Sequence, residues 1–203
     1  MRVLGFDISS VATGWAVIED GTLTVSGVIR PVDELKDRYG TKKATKAALR
    51  ESDIFLHVTR RASQIMEQVK PDNVVVEDCF LKRNASVLRI LSRLSGGVLY
   101  RWLQLGSRTP YVVMASHARA SLGCRGTSTK EQVMAFIKAR YGIQISDDNV
   151  ADAFILAMYG YLKDSQAPSG ASAVKARHRS RLRILNKVRR VLRCRGGGHG
   201  TAR

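Results

Sequence analysis

No apolar stretch in this chain approaches the roughly 18 residues that a membrane-spanning helix requires, so the sequence predicts no such span. The N-terminus, MRVLGFDISS, does not read as a secretory signal, because it has one basic residue and then an aspartate inside its apolar stretch. Cysteine is scarce. Cys79, Cys124 and Cys194 are odd in number and far apart, which excludes a disulfide framework and a CxxC zinc site. They read as small hydrophobes in a reducing cytosol. The four histidines form no cluster, so a metal site here has to be built from oxygen ligands, which points to Mg²⁺ or Mn²⁺ rather than zinc. No internal repeat is visible.

Acid is the other shortage. Asp and Glu total 17 against 34 Lys and Arg, a formal charge of +17 over 203 residues. Such a chain suits a polyanion, either nucleic acid or an acidic membrane surface. The imbalance is local: residues 174–203 hold eleven Lys or Arg and no acid, whereas the first 173 hold 23 basic and 17 acidic groups. The segment SQAPSGAS, residues 165–172, is a linker by composition. The expected organisation is one folded domain over 1–164, followed by a linker and basic arm over 165–203. With 44% hydrophobic residues the first part has material for a core. In the arm, Leu182, Leu185, Val188, Val191 and Leu192 recur at near-helical spacing between arginines. That segment is either a solvated tail or a basic amphipathic helix on DNA, with counterion release supplying affinity.

Periodicity supplies the rest. Residues 2–8, 13–18 and 22–29 read as strands, the last two joined by the Asp20-Gly21 turn signal. Residues 31–43 read as loop. Phe55, Val58, Ala62, Ile65 and Val69 predict a helix over 45–69, stopped by Pro71-Asp72. Val74–Val76 is a buried strand with Glu77 at its end. A helix follows over 85–105, then a short strand over 111–114. Gly96-Gly97 inside that helix costs helix stability and signals close approach of another backbone, internal or across a dimer. After a Gly-rich loop, Ser128 and Glu131 read as a capping box, and Gly142 closes that helix. Asp147-Asp148 caps a last helix to Leu162. The expected fold is α/β: antiparallel opening strands, then parallel ones, in a mixed sheet flanked by helices.

Three acids sit in apolar company. Asp7 interrupts VLGFDI, Glu77 ends VVVE, and Asp152 lies within VADAFILAMYGY. A carboxylate so placed loses hydration and needs a partner, often a metal. Asp148 and Asn149 precede Asp152 by four and three residues, which puts each on the same helix edge. Asp148 has a plainer reading too, as an acid that favours a helix N-terminus. Clustered acids on a basic protein suggest phosphodiester cleavage with two ions. Phe80, in a loop beside Lys82 and Arg83, either stacks on an unpaired base or tucks under its own loop. His57 reads as a surface or packed histidine, and Trp15 and Trp102 as filler.

Four segments together, LGFDISSVATGWAVIEDG, VVVEDCFLKRNASVL, GTSTKEQV and DDNVADAFILAMYGY, resemble the RuvC-type Holliday junction resolvases of the RNase H-like superfamily, in the family's order over residues 1–162. The resemblance implies a crossover junction endodeoxyribonuclease. It implies Asp7, Glu77 and Asp152 as metal ligands, with two Mg²⁺ per site and Mn²⁺ as a substitute. The family's fourth acid falls at Asn149 here. Asp148 is one position away and is the alternative ligand. Lys130 matches the basic residue of KxQV and would stabilise charge at the scissile phosphate. His117 and Arg119 both stand near the family's second basic position. Phe80 matches the aromatic wedged into the junction, with Lys82, Arg83, Asn84 and Arg125 as further DNA contacts. The implied partners are a four-way junction and a second copy of the chain, since two symmetric nicks need two sites. No membrane is implied, and a helicase partner is left open. The setting would be a bacterial cell, a phage-infected host or an organelle. The alternatives are an RNase H-like nuclease acting on other branched DNA or RNA, and a catalytically inactive junction-binding protein, which Asn149 keeps open.

Overall fold

Central strands with both faces covered are apolar along their whole length, and the first strand follows that rule. It is β1 (Arg2–Asp7), buried on both faces from Val3 to Phe6. The computed structural model describes residues 1–35, 50–79, 85–105 and 108–166. After β1 come β2 (Thr13–Glu19), β3 (Thr22–Ile29), a single turn α1 (Pro31–Glu34), α2 (Glu51–Val69) and β4 (Asn73–Glu77). Then follow α3 (Ala85–Gln104), β5 (Tyr111–Val113), α4 (Ala115–Ser121), α5 (Lys130–Tyr141) and α6 (Asp148–Ser165). The sheet order is β3-β2-β1-β4-β5. β1–β2 and β2–β3 pair antiparallel, and β1–β4 and β4–β5 pair parallel. The mixed sheet expected from the sequence is therefore present.

Strand alternation sorts side chains between two cores. Val3, Ala16, Ile18 and Val75 face α6, with Phe154, Ile155 and Leu156 packed on them. Leu4, Phe6, Val17, Val74 and Val76 face the other way, toward α2 and α3, where Val58, Met66, Val98 and Trp102 close the layer. Each large apolar side chain so buried contributes about 1.5–3 kcal/mol. Helix α6 is pressed onto the sheet. A Cβ added at Gly5 would stand 2.3 Å from the Ala153 carbonyl oxygen, and one at Gly14 would stand 2.0 Å from that of Asn149. Ala153 and Ala157, four residues apart, are the small side chains that permit this approach. The far end of α6 is pinned by Asp164, which accepts hydrogen bonds from Tyr111 Oη (2.9 Å) and Asn73 Nδ2 (3.1 Å).

Local chemistry explains most boundaries. Asp20 and Gly21 take positive φ (50° and 83°), the two-residue turn that an Asp-Gly pair favours. Helix α2 ends where Lys70 adopts the left-handed conformation and its N–H reaches the Met66 carbonyl, just before Pro71. Four readings need correction. Residues 31–34 are helical rather than loop, because Pro31 supplies a helix-ready φ at the first position. The helix α4 had no sequence signal in ASHARAS beyond weak propensity. The capping box sits one residue later than expected, on Thr129 and Gln132. Within the chain, Gly97 meets the side chains of Phe55 and Thr59 rather than a backbone, and Gly96 has nothing within 4 Å. Residues 45–49 of the expected helix and the arm from 167 onward lie outside the described residues. Among the described residues, no helix is long and apolar enough to cross a membrane.

Gly5→Ala is expected to destabilise the fold by about 1–3 kcal/mol or more, because its new methyl meets rigid backbone rather than a side chain that can turn away. Urea unfolding monitored by circular dichroism measures this. Gly96→Ala, with open space around it, should instead be neutral or stabilising.

Candidate active site

Two strands and one helix converge at the carboxyl ends of β1 and β4. Val3 and Gly5 face α6, so Asp7, at the next alternate position, faces it too. The same alternation along β4 runs from Asn73 through Val75 to Glu77. The parallel register pairs Gly5 with Val75 and Phe6 with Val76. One more step puts Asp7 beside Glu77. Their carboxyls lie within hydrogen-bonding reach, and Asp152 and Lys130 act on Asp7 electrostatically. Burial foremost, then the hydrogen bond and charge of Glu77 and the charge of Asp152, hold the Asp7 carboxyl well above the usual carboxylate range. Lys130 pulls it the other way.

The acids of α6 are engaged differently. Asp152 Oδ1 accepts a 2.6 Å hydrogen bond from Arg119 Nη2, and both side chains are largely buried. Arg119 Nη1 also donates to the Ser128 carbonyl, while its buried Nε has no partner. Lys130 Nζ donates to Asp148 Oδ2, and that contact raises the pKa of the ammonium. Asn149 Nδ2 donates to Asp147 Oδ1 (2.9 Å) and Asp148 Oδ1 (3.2 Å). Its amide thus presents hydrogens to the neighbouring carboxylates.

Asp147 is the residue the sequence reading undervalued. Its Oδ1 accepts from the backbone N–H of Asn149 (2.9 Å) and Val150 (3.4 Å), and so caps α6. Its Oδ2 accepts from Arg30 Nη2 at 2.7 Å, which ties the end of β3 to the start of α6. Burial alone would raise its pKa, but Arg30 and the Asn149 contacts bring it below the ordinary value. Thr13 was missed as well. Fully buried, it accepts from the Ser9 N–H (3.0 Å) and donates to the Ser9 carbonyl (2.7 Å), fixing the turn right after Asp7. Its signal in sequence is only a Thr at the first position of a strand.

The other expected residues fall around this centre or outside the description. Arg119 and His117 share α4, but only Arg119 reaches an acid. His117 is exposed and sits edge-on to Tyr159, with ring centroids 5.9 Å apart. Arg125 is exposed in the loop before α5. Phe80, Lys82, Arg83 and Asn84 lie outside the described residues. Away from the site, His57 Nε2 meets Glu34 at 3.0 Å, in keeping with a surface or packed histidine. Among the described residues, no three Asp, Glu, His or Cys side chains form a ready ion-binding cluster as they stand. The α6 acids are turned to Arg119 and Lys130, and the two strand carboxyls face one another.

The model of the family "Crossover junction endodeoxyribonuclease RuvC" matches residues 3–159. The chain belongs to the RuvC family. Among curated RuvC proteins, that of Caldicellulosiruptor saccharolyticus is 26% identical over 167 residues, covering 81% of this chain and 95% of the relative. That of Chloroflexus aggregans is 26% identical over 161 residues, covering 78% and 91%. The solved structure of Thermus thermophilus RuvC superposes with a TM-score of 0.64 at 18% identity, over 81% of this chain and 96% of that one. At that identity the likeness is one of fold, and it carries the RuvC sheet and helix order.

Asp147→Ala is expected to lower stability by about 1 kcal/mol through loss of the cap. Arg30→Ala made in that background should add less than it does alone, because the two share one contact. A double-mutant cycle of urea denaturation measures both.

Proposed function

We propose that this chain is a divalent-metal-dependent endonuclease that resolves four-way DNA junctions by paired nicks. The observation that carries the reading is the Asp7–Glu77 carboxyl pair at adjacent parallel strand ends, facing Asp152 and flanked by Arg119 and Lys130. Membership of a family of crossover junction endodeoxyribonucleases supports it. A Thermus thermophilus RuvC that superposes with a TM-score of 0.65 at 17% identity was solved in complex with a Holliday junction substrate.

The donor set fits a hard divalent cation. All the carboxyl oxygens are of the right class, and a buried Asp7 crowded by Glu77 is relieved when positive charge comes between them. Asp7, Glu77 and Asp152 would hold the metal, Mg²⁺ with Mn²⁺ as substitute, two ions per site, and Asp148 would be the fourth ligand. Asn149, whose NH2 is directed to Asp147 and Asp148, would orient Asp148 rather than ligate. A bound cation supplies Lewis acidity that makes water a nucleophile at neutral pH and offsets charge on the leaving oxygen. The chain's own residues do the remainder. Lys130, on an exposed helix start, reaches a phosphate from the solvent side. Arg119 would add a second cation beside the same acids.

The nuclease domain is taken as 1–164, and the linker and arm as 165–203. The eleven cations of residues 174–203 would add affinity for any duplex without selecting the junction. Phe80 would stack on an unpaired base, with Lys82, Arg83, Asn84, His117 and Arg125 contacting the backbone. Paired nicks need two active sites, hence two copies of the chain. Leu56, Tyr100 and Leu103, each more than half exposed on α2 and α3, offer apolar surface for that association.

Asp7→Asn, Glu77→Gln and Asp152→Asn are each expected to abolish nicking of a synthetic four-way junction in Mg²⁺ while leaving junction affinity within a few-fold. Gel analysis of cleavage beside fluorescence anisotropy measures the two separately. Near-normal nicking by one variant would remove that residue from the site, and nicking of linear duplex at the junction's rate would remove the substrate assignment.

A further inference from the structure

The four acids near the site divide into two kinds. Asp7 and Glu77, on strands, face each other. Asp152 and Asp148, on α6, are each bound to a cation brought by another element, Arg119 of α4 and Lys130 of α5. Lys130 is mostly exposed and has an alternative partner in water, and Arg119 still has a spare buried donor. Both cations belong to a class of side chain that binds phosphate well.

We propose that Arg119 and Lys130 are internal counterions that hold the two α6 carboxylates until a DNA phosphate takes the cations over. In the DNA-free protein the guanidinium and ammonium occupy the oxygens of Asp152 and Asp148 that a metal would use. A phosphodiester arriving at the site offers the same two cations a better anion. Their exchange onto phosphate frees both carboxylates beside Asp7 and Glu77, and metal affinity rises as DNA binds. Linkage makes this reciprocal: metal strengthens binding of the phosphate to the same degree. The consequence is protection against stray hydrolysis, because the full set of carboxylates is free for metal only when substrate is present. The inference rests on the reading of these acids as a metal site and adds its regulation.

Mn²⁺ titration of the full-length, DNA-free chain, followed by the electron paramagnetic resonance of free Mn²⁺, tests it. Lys130→Gln and Arg119→Gln should each tighten Mn²⁺ binding about tenfold or more. Lys138→Gln, which removes an exposed cation near the far end of α5, should change it less than twofold. Arg119→Lys keeps a cation on Asp152 and should retain the weak affinity. Lys130 is exposed, so its variant reports even if substitution of the more buried Arg119 harms folding. In a second arm, the Mn²⁺ concentration for half-maximal single-turnover nicking of bound junction should lie at least tenfold below the DNA-free Kd of the unmutated chain. Equal affinities in the two arms, or a Lys138→Gln effect as large as that of Lys130→Gln, would overturn the exchange. Absence of Mn²⁺ binding by every form, with or without junction, would instead overturn the metal reading itself.

Discussion

Everything at the site depends on how closely α6 lies against β1 and β2. Side chains larger than hydrogen at Gly5 and Gly14 would push against the carbonyl oxygens of Ala153 and Asn149. Because those positions are glycine, the first turns of α6 run directly over the carboxyl end of β1. Strand alternation then does the placing. Asp7 and Glu77 point to the helix side because Val3, Gly5 and Val75 do. A one-residue slip of either strand would turn its acid into the opposite core. The geometry of an acid pair thus follows from two glycines, a parallel register and a stripe of alanines.

Electrostatics gives this geometry its chemical meaning. The chain is strongly basic, yet four of its acids gather at one place. Carboxylates in such proximity repel one another unless a cation lies near them. Two are paired with Arg119 and Lys130, and Asp7 stands beside Glu77, where burial and that neighbour hold its carboxyl well above the usual range. Neither pair adds much net stability, since desolvation offsets the attraction of the buried Arg119–Asp152 pair and solvent screens the exposed Lys130–Asp148 pair. Their presence is better explained by function than by folding.

Much of this was legible in the sequence. Asp7, Glu77 and Asp152 stood out because an ionisable residue inside an apolar run violates its local pattern. The hairpin was legible through Asp20-Gly21, and the end of α5 through Gly142, since each needs a conformation that few residues adopt. What was not legible depends on contacts distant in sequence. Arg30 meets Asp147 across 117 positions, and no local pattern announces such a pair. Helix α4 is short and built from small and polar residues, so it has no periodicity to read. The choice between His117 and Arg119 as the cation nearer the acids needed the direction of that helix. It sends Arg119 to Asp152 and His117 to Tyr159.

The claim on which the account turns is that Asp7 and Glu77 bound one cation site. Crystals of the chain bound to a four-way junction and soaked in Mn²⁺, measured at a wavelength where manganese scatters anomalously, test it directly. The account predicts an anomalous peak within coordination distance, roughly 2.0–2.6 Å, of carboxyl oxygens from both Asp7 and Glu77. A peak at saturating Mn²⁺ that touches neither residue, or an Asp7–Glu77 pair still sharing its hydrogen bond in that complex, would contradict it.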